Sequence, residues 1–259
     1  ARDGGTVSLT IDQDLTYTVQ SLLDTAVATS GSRSGQVAVL DAKTGEVLAL
    51  AGSGSVDGSS ASDGTSNPTV QQVFEPGSVN KVVAFAAALD TGAITPDTVI
   101  PTPDSLRYGD ITVHDAWYHP TTNFTATGIL AESSNVGTLE IAQSIGPDTW
   151  MKYAKLLGEG QATGIELPGE SEGLLPEQAE WSASTYGNLP IGQGVALTIV
   201  QMASIYQTIA NGGVRIPPRI VASTTTSEGI TTPTQAPAGV RAMSAGTAQT
   251  LRTMLEAVT

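Results

Sequence analysis

Ser78 and Lys81 are a pair whose types and spacing suggest chemistry in this chain of 259 residues. Lysine is scarce, with Lys43, Lys81, Lys152 and Lys155 as the full set. Lys81 falls near the start of an otherwise apolar run, residues 79–89, that reads as a helix. Burying an ammonium group costs free energy, so such a lysine either pairs or gives up its proton and becomes a base. Ser78 precedes it by three residues, which puts both side chains on one helix face about a turn apart. Pro76 and Gly77 set Ser78 at the helix N-terminus, where free N–H groups and the helix dipole favour negative charge developing at an attacked carbonyl. A serine activated by a neighbouring lysine is an acyl-transfer arrangement. On spacing alone Ser-x-x-Lys is a weak pattern, and a serine N-cap beside a lysine that reaches solvent is the plainer reading.

Ser133-Ser134-Asn135 is the second cluster, three hydrogen-bonding side chains that interrupt an apolar helical pattern. Seen alone it is a helix break or cap. His114, Asp115 and His119 could suggest a metal site or the base of a Ser-His-Asp triad, but two histidines in one short segment read more simply as surface or hydrogen-bonding groups. With no cysteine, disulfides, thiolate metal sites and thiol nucleophiles are excluded. A net charge of −14 argues against nucleic acid and against docking to anionic membranes. No phosphate-binding loop, Gly-x-Ser-x-Gly elbow or His-Glu-x-x-His is present, and no metal or organic cofactor is called for.

The elements that must position these groups read as follows. Residues 7–11 are a strand, and Asp12 caps a helix over 13–28. Residues 36–40 and 46–51 form a β-hairpin through Asp41-Ala42-Lys43-Thr44-Gly45, followed by a Gly- and Ser-rich surface loop over 52–66. A Pro-rich stretch over 96–103 leads into a segment that reads as irregular and ends near Pro120. Helical patterns occupy 127–146, broken by the polar turn, then 150–157, 197–210 with Asn211-Gly212-Gly213 as its C-cap, and 245–258. Residues 163–176 and 223–238 read as loops. Strands mixed with helices, without a βαβ rhythm, give an α+β domain.

Taken together and in order, the two clusters match two motifs of the penicillin-recognising serine enzymes. Glu75-Pro76-Gly77-Ser78-Val79-Asn80-Lys81 resembles the nucleophile motif of the class B, high-molecular-weight penicillin-binding proteins, and Ser133-Ser134-Asn135-Val136-Gly137 their second motif. The similarity extends through Leu9-Thr10-Ile11-Asp12, residues 41–50 and 163–170, Ile191-Gly192-Gln193-Gly194 and Ala210-Asn211-Gly212-Gly213, and its flavour is that of an actinobacterial division-type transpeptidase. The resemblance implies the penicillin-binding protein/β-lactamase-like α+β fold, a central antiparallel sheet flanked by helices plus a helical subdomain. It implies a D,D-transpeptidase acting on peptidoglycan stem peptides that end in D-Ala-D-Ala and inhibited by β-lactams. Ser78 would be the nucleophile and Lys81 its base. Ser133 would relay a proton, and Asn135 would bind the substrate carbonyl and help to orient Lys81. It also implies division-complex membrane proteins as partners, and a place outside the plasma membrane behind an N-terminal anchoring helix.

The family's third motif, Lys-Thr-Gly, follows the second. Here Lys43-Thr44-Gly45 precedes Ser78 and reads as a hairpin turn. The expectation is that residues 1–259 are the larger, N-terminal part of a transpeptidase domain, and that the remainder of the polypeptide supplies the third-motif strand. A D,D-carboxypeptidase using the same residues stands as an alternative, as does a β-lactam-hydrolysing or -sensing relative, whose second motif usually ends in Val where this chain has Asn135, and a non-catalytic scaffold is another.

Overall fold

The structure, a computed structural model, describes residues 4–54 and 67–258. β1 (Thr6–Leu9) leads through Thr10, whose hydroxyl donates to the Val47 carbonyl at 2.6 Å, into α1 (Gln13–Ser30). Asp12 caps α1 by accepting from the Leu15 N–H at 2.9 Å, and Gly31, at φ 68°, closes it. The expected hairpin is β2 (Ser34–Leu40) with β3 (Val47–Gly54), antiparallel with Val37 opposite Ala51, and α1 packs across it. Lys43-Thr44-Gly45 is its turn. Asp41 Oδ1 accepts from the N–H groups of Lys43 and Thr44, both at 2.8 Å, and these bonds hold the Asp41 carboxyl below its usual pKa. Among the described residues β2 has no strand partner on its other edge. The loop expected over 52–66 lies, beyond Gly54, outside the described residues.

One turn, α2 (Pro68–Gln71), capped by Asn67, precedes the segment that bears Ser78 and Lys81. That segment, Gly77–Lys81, is a 3₁₀ turn that runs directly into α3 (Val82–Asp90), so the α-helix begins three residues later than the apolar pattern suggests. Residues 82–88 are all buried, as a helix apolar on every side must be.

Residues 96–120 are not irregular. β4 (Val99–Thr102) is followed by a tight hairpin, β5 (Ser105–Tyr108) and β6 (Ile111–His114), and β7 (Thr122–Thr125) returns antiparallel to β4. Gly109, at φ 57°, makes the two-residue turn possible. Strands of four residues carry too short an alternation to register locally, and Pro101 disguises β4 further. In a two-stranded pair one edge needs no donor, so the proline is harmless there.

α4 (Ala126–Ala131) and α5 (Asn135–Leu157) are separated by the expected polar break. α5 kinks at Gly146 (φ 77°), just before Pro147. After α6 (Thr185–Asn188), α7 (Ile199–Ala210) starts on a reciprocal cap. Thr198 Oγ1 accepts from Gln201 N at 3.1 Å, and Gln201 Oε1 accepts from Thr198 N at 2.8 Å. The chain then forms β8 (Val214–Arg215), β9 (Val221–Thr225), β10 (Thr231–Pro233), β11 (Val240–Arg241) and α8 (Ala245–Leu255). Residues 223–238 are therefore more ordered than their Thr- and Pro-rich composition suggests. β9 sits between β1 and β10 in a three-stranded antiparallel sheet, a pairing across more than 200 residues that no local pattern reports.

The main core surrounds α3. Ile129, Ile141, Trp150, Leu157, Leu189, Ile205 and Leu251 close around it and its Phe85 from α4, α5, α7, α8 and the turn after α6. Asp90 ties the far end of α3 to two neighbours, accepting from Tyr153 on α5 at 2.7 Å and from Thr247 on α8 at 2.7 Å. Helices and antiparallel strand pairs together make the α+β fold the sequence implied. Because the cap of α7 is fully buried, Thr198→Ala is expected to lower unfolding free energy by about 1–2 kcal/mol, read from urea denaturation midpoints.

Candidate active site

In a 3₁₀ turn side chains three residues apart eclipse one another, so Ser78 and Lys81 share a face. They differ in exposure. Ser78 faces solvent, and its hydroxyl has no hydrogen-bond partner among the described residues, whereas Lys81 is 1% exposed. Gly77 N donates to the Gly192 carbonyl at 3.0 Å, which pins the turn from behind. Gly192 stands at φ 80°, and a methyl group there would meet the Gly77 carbonyl oxygen at 2.0 Å, so no other residue fits. Tyr206 on α7 donates to the Val79 carbonyl at 3.0 Å and fixes the opposite side.

Lys81 does not reach solvent as the plainer reading of the motif required. Its Nζ donates to the Ser133 carbonyl at 2.5 Å and to Ser133 Oγ at 3.1 Å. Burial lowers its pKa from 10.5 to about 8, against the opposing pull of the Asp115 charge. At that value roughly a tenth of the side chain is neutral at pH 7, enough to serve as a base.

Ser133 can present both oxygens because its backbone is left-handed, at φ 55°. It is the one residue other than glycine with positive φ among the described residues. That conformation is strained for a residue with a Cβ and is characteristic of functional turns. Ser134 is the N-cap of α5, its hydroxyl accepting from Gly137 N at 2.9 Å. Asn135 Nδ2 donates to the His114 carbonyl at 2.8 Å and not to Lys81, so the hydrogen bonds that orient the lysine come from Ser133. Asn135 also lines a cleft of about 300 Å³ with Thr112, His114, Asn188 and Gln193. The structure thus brings Lys81 and Ser133 into contact, sets Ser78 on the lysine's turn, and holds Asn135 at the cleft.

Sequence reasoning missed the group beneath this turn. Asp115, its side chain fully buried, accepts from Ser134 Oγ at 2.7 Å, from the N–H groups of Asn135 and Val136 at 2.5 and 3.0 Å, and from His119 Nε2 at 3.0 Å. It is the anion at the N-terminus of α5, where free N–H groups and the dipole hold it. His119 is buried between Asp115 and the Pro120 carbonyl, which Nδ1 meets at 2.9 Å. Both ring nitrogens face acceptors, and these bonds, Asp115 first, raise the His119 pKa because the imidazolium satisfies both. The available signal was Asp115 four residues before a histidine in a chain with only two, but helix-end anchoring of this kind depends on a contact to residues 134–136 that spacing does not disclose.

Comparison with known proteins places these features in a family. A model described as the penicillin binding protein transpeptidase domain matches residues 35–259. Penicillin-binding protein PbpB of Mycolicibacterium smegmatis is 48% identical over 263 residues, covering 100% of this chain and 41% of the relative. Peptidoglycan D,D-transpeptidase FtsI of Escherichia coli K12 is 32% identical over 225 residues, covering 82% of this chain and 36% of the relative. Among solved structures, penicillin binding protein 3 of Mycobacterium tuberculosis complexed with ampicillin superposes with a TM-score of 0.93 at 47% identity, over 98% of this chain and 57% of that one. The chain spans about two fifths of the length of its mycobacterial curated relatives.

Two outcomes follow from the electrostatics. Asp115→Asn removes the charge that holds the Lys81 pKa up, so the lysine is expected to titrate below about 8, measured by NMR at its Cε. In Lys81→Met the buried ammonium is gone. A shift of this size costs roughly 3 kcal/mol and the bonds to Ser133 return about 1, so the variant should be about 2 kcal/mol more stable at pH 7 by urea denaturation.

Proposed function

This chain belongs to the penicillin-binding protein transpeptidase family, and we propose that it carries the nucleophile of a serine D,D-transpeptidase acting on peptidoglycan stem peptides that end in D-Ala-D-Ala. The observation that carries this reading is the buried Lys81, its pKa near 8, on the same face as an exposed Ser78 and bonded to Ser133.

In the reaction, neutral Lys81 takes the proton of Ser78 Oγ as that oxygen attacks the carbonyl of the penultimate D-Ala. The tetrahedral oxyanion receives a hydrogen bond from Ser78 N–H, at the start of the turn that feeds α3. Ser133, already in contact with Lys81, passes the proton on to the leaving D-Ala nitrogen. Asn135 has one amide N–H committed to the His114 carbonyl, and the other is left for the substrate's amide carbonyl. An amine from a neighbouring stem peptide then attacks the acyl-enzyme, Ser78 leaves with its proton restored, and the cross-link is formed. β-Lactams acylate the same serine and remain there.

A second oxyanion donor, worth about 3–4 kcal/mol where such donors have been removed, is needed for full rate. We assign it to a strand supplied by the rest of the polypeptide, bearing the Lys-Thr-Gly that this sequence lacks after Asn135. Support comes from the edge of β2 that has no strand partner among the described residues. Two clefts of about 590 and 470 Å³ run along it, one lined by Ser34, Gln36, Phe74 and Ile199, the other by Ala38, Leu40, Met202 and Tyr206. An apolar trough beside unsatisfied strand N–H and C=O groups is a site for strand addition. On this reading residues 1–259 are the larger part of one transpeptidase domain.

Among the described residues no helix is long and apolar enough to cross a membrane. We place the domain on the outer face of the plasma membrane, held by a helix outside this sequence and partnered by division-complex membrane proteins. This follows from the same family membership. The decisive experiment is intact-mass spectrometry of the full-length protein with a fluorescent penicillin and peptide mapping. One adduct on Ser78 is expected in the wild type and none in Ser78→Ala. An adduct that persists in the variant overturns the assignment.

A further inference from the structure

We propose that His119 is a positioning residue for acyl transfer: as an imidazolium it holds the Asp115 carboxylate beneath residues 133–136 and offsets its charge, so that Lys81 parts with its proton more readily. This rests on the acyl-transfer reading above, in which Lys81 is the base.

Hydrogen-bond geometry sets the charge of both partners. Asp115 Oδ2 accepts from Ser134 Oγ at 2.7 Å and His119 Nε2 at 3.0 Å, and Oδ1 from the N–H groups of Asn135 and Val136 at 2.5 and 3.0 Å. A carboxylate has no proton of its own and accepts from all four. The ring of His119 meets an acceptor at each nitrogen, Asp115 at Nε2 and the Pro120 carbonyl at Nδ1, 2.9 Å away. A neutral imidazole has one N–H and would turn a bare lone pair towards one of them, whereas the imidazolium donates to both. The ring is buried, with the Trp117 ring at 5.8 Å and Phe124 of β7 edge-on at 5.7 Å, so it has no freedom to choose other partners. Asp115 and Asp104, just before β5, are the charges that act on it, and both favour its protonated form.

The path from this pair to Lys81 is short. Lys81 Nζ donates to both Ser133 oxygens, Ser134 is the next residue, and Ser134 Oγ donates to Asp115. The carboxylate is required there, because it takes the free N–H groups at the start of α5. Yet its charge also favours the ammonium form of Lys81 and so opposes proton transfer from Ser78. A cation bonded to Asp115 resolves that conflict. The four hydrogen bonds are kept, while the field that reaches Lys81 is weakened. Glu140 on α5 is the other titratable group on which Asp115 acts, and burial pushes its carboxyl up.

The test uses the full-length wild type, His119→Gln and His119→Leu, with the rate of Ser78 acylation by a fluorescent penicillin followed from pH 6 to 9.5. Gln sets an amide N–H where Nε2 stands, without the charge. His119→Gln is expected to acylate about threefold more slowly than the wild type at pH 7, its acid limb displaced upward by about half a pH unit. The two rates converge above about pH 9, where Lys81 is neutral in both. His119→Leu, which also withdraws the donor from Asp115, is expected to remain about tenfold slower there. Thermal unfolding adds a readout independent of activity. The folded chain holds the His119 proton more tightly than the unfolded chain, where it leaves near 6.5. The resulting stabilisation is complete below 6.5 and is lost as pH rises through the folded value, so the melting difference between wild type and His119→Gln changes in that direction. Superimposable acid limbs for wild type and His119→Gln, a His119→Leu rate equal to wild type at pH 9, or a melting difference constant from pH 6 to 9 overturns the proposal while Ser78 labelling stands. No adduct on wild-type Ser78 overturns the acyl-transfer reading and this proposal with it.

Discussion

A lysine that is 1% exposed and still bears a proton for much of its time is the constraint around which this molecule is arranged. Its ammonium has two partners, both from Ser133, and these are available because Ser133 adopts a left-handed backbone that its own side chain disfavours. That backbone is held in turn by the N-terminus of α5, where Ser134 caps the helix and Asp115 receives its free N–H groups. The hairpin β5–β6, which delivers Asp115, is thereby joined to Lys81 through three residues. Removing Ser133, Ser134 or Asp115 leaves a polar group within this network without a partner, which is why strain here is tolerated and not relaxed.

The surroundings of Lys81 divide by polarity. Along α3 every residue from Val82 to Ala88 is buried and apolar, so the helix gives the turn a rigid base and offers the ammonium nothing. On the other side lie the Ser133 oxygens and, farther off, the Asp115 charge. Desolvation and attraction act in opposite directions on the same proton, and desolvation is the larger. A pKa near 8 is the resultant, low enough for proton abstraction and high enough for the same group to return the proton later.

How much of this was legible in the sequence depends on the range of the interaction concerned. Ser78, Lys81, Ser133 and Asn135 stood out through their motifs, and Asp12, the β2–β3 hairpin and the Gly212–Gly213 end of α7 were legible because caps and turns are chemistry within a few residues. Lys43-Thr44-Gly45 was correctly read as a turn for the same reason, since Asp41 supplies the acceptors locally. The strands β4 to β7 escaped notice because each has four residues and β4 pairs across a gap that encloses another hairpin. Asp115 and His119 read as surface or hydrogen-bonding groups, and they do hydrogen-bond, but their burial at the end of α5 is a tertiary fact that spacing does not carry. The expected bond from Asn135 to Lys81 gives way to one with the His114 carbonyl, a contact that again depends on how the hairpin is laid against α5.

Gly192 and Gln193 are adjacent, yet they live under opposite rules. A single methyl group at 192 would collide with the carbonyl beside Ser78, while Gln193 is exposed and borders the cleft shared with Asn135. Evolution can therefore work on this loop one residue at a time. Position 192 is closed to any side chain, and position 193 can take new side chains without displacing Ser78. On the proposed reading, ligand preference and reactivity are separable traits, parted by one peptide bond, so that the first can change while the second is kept.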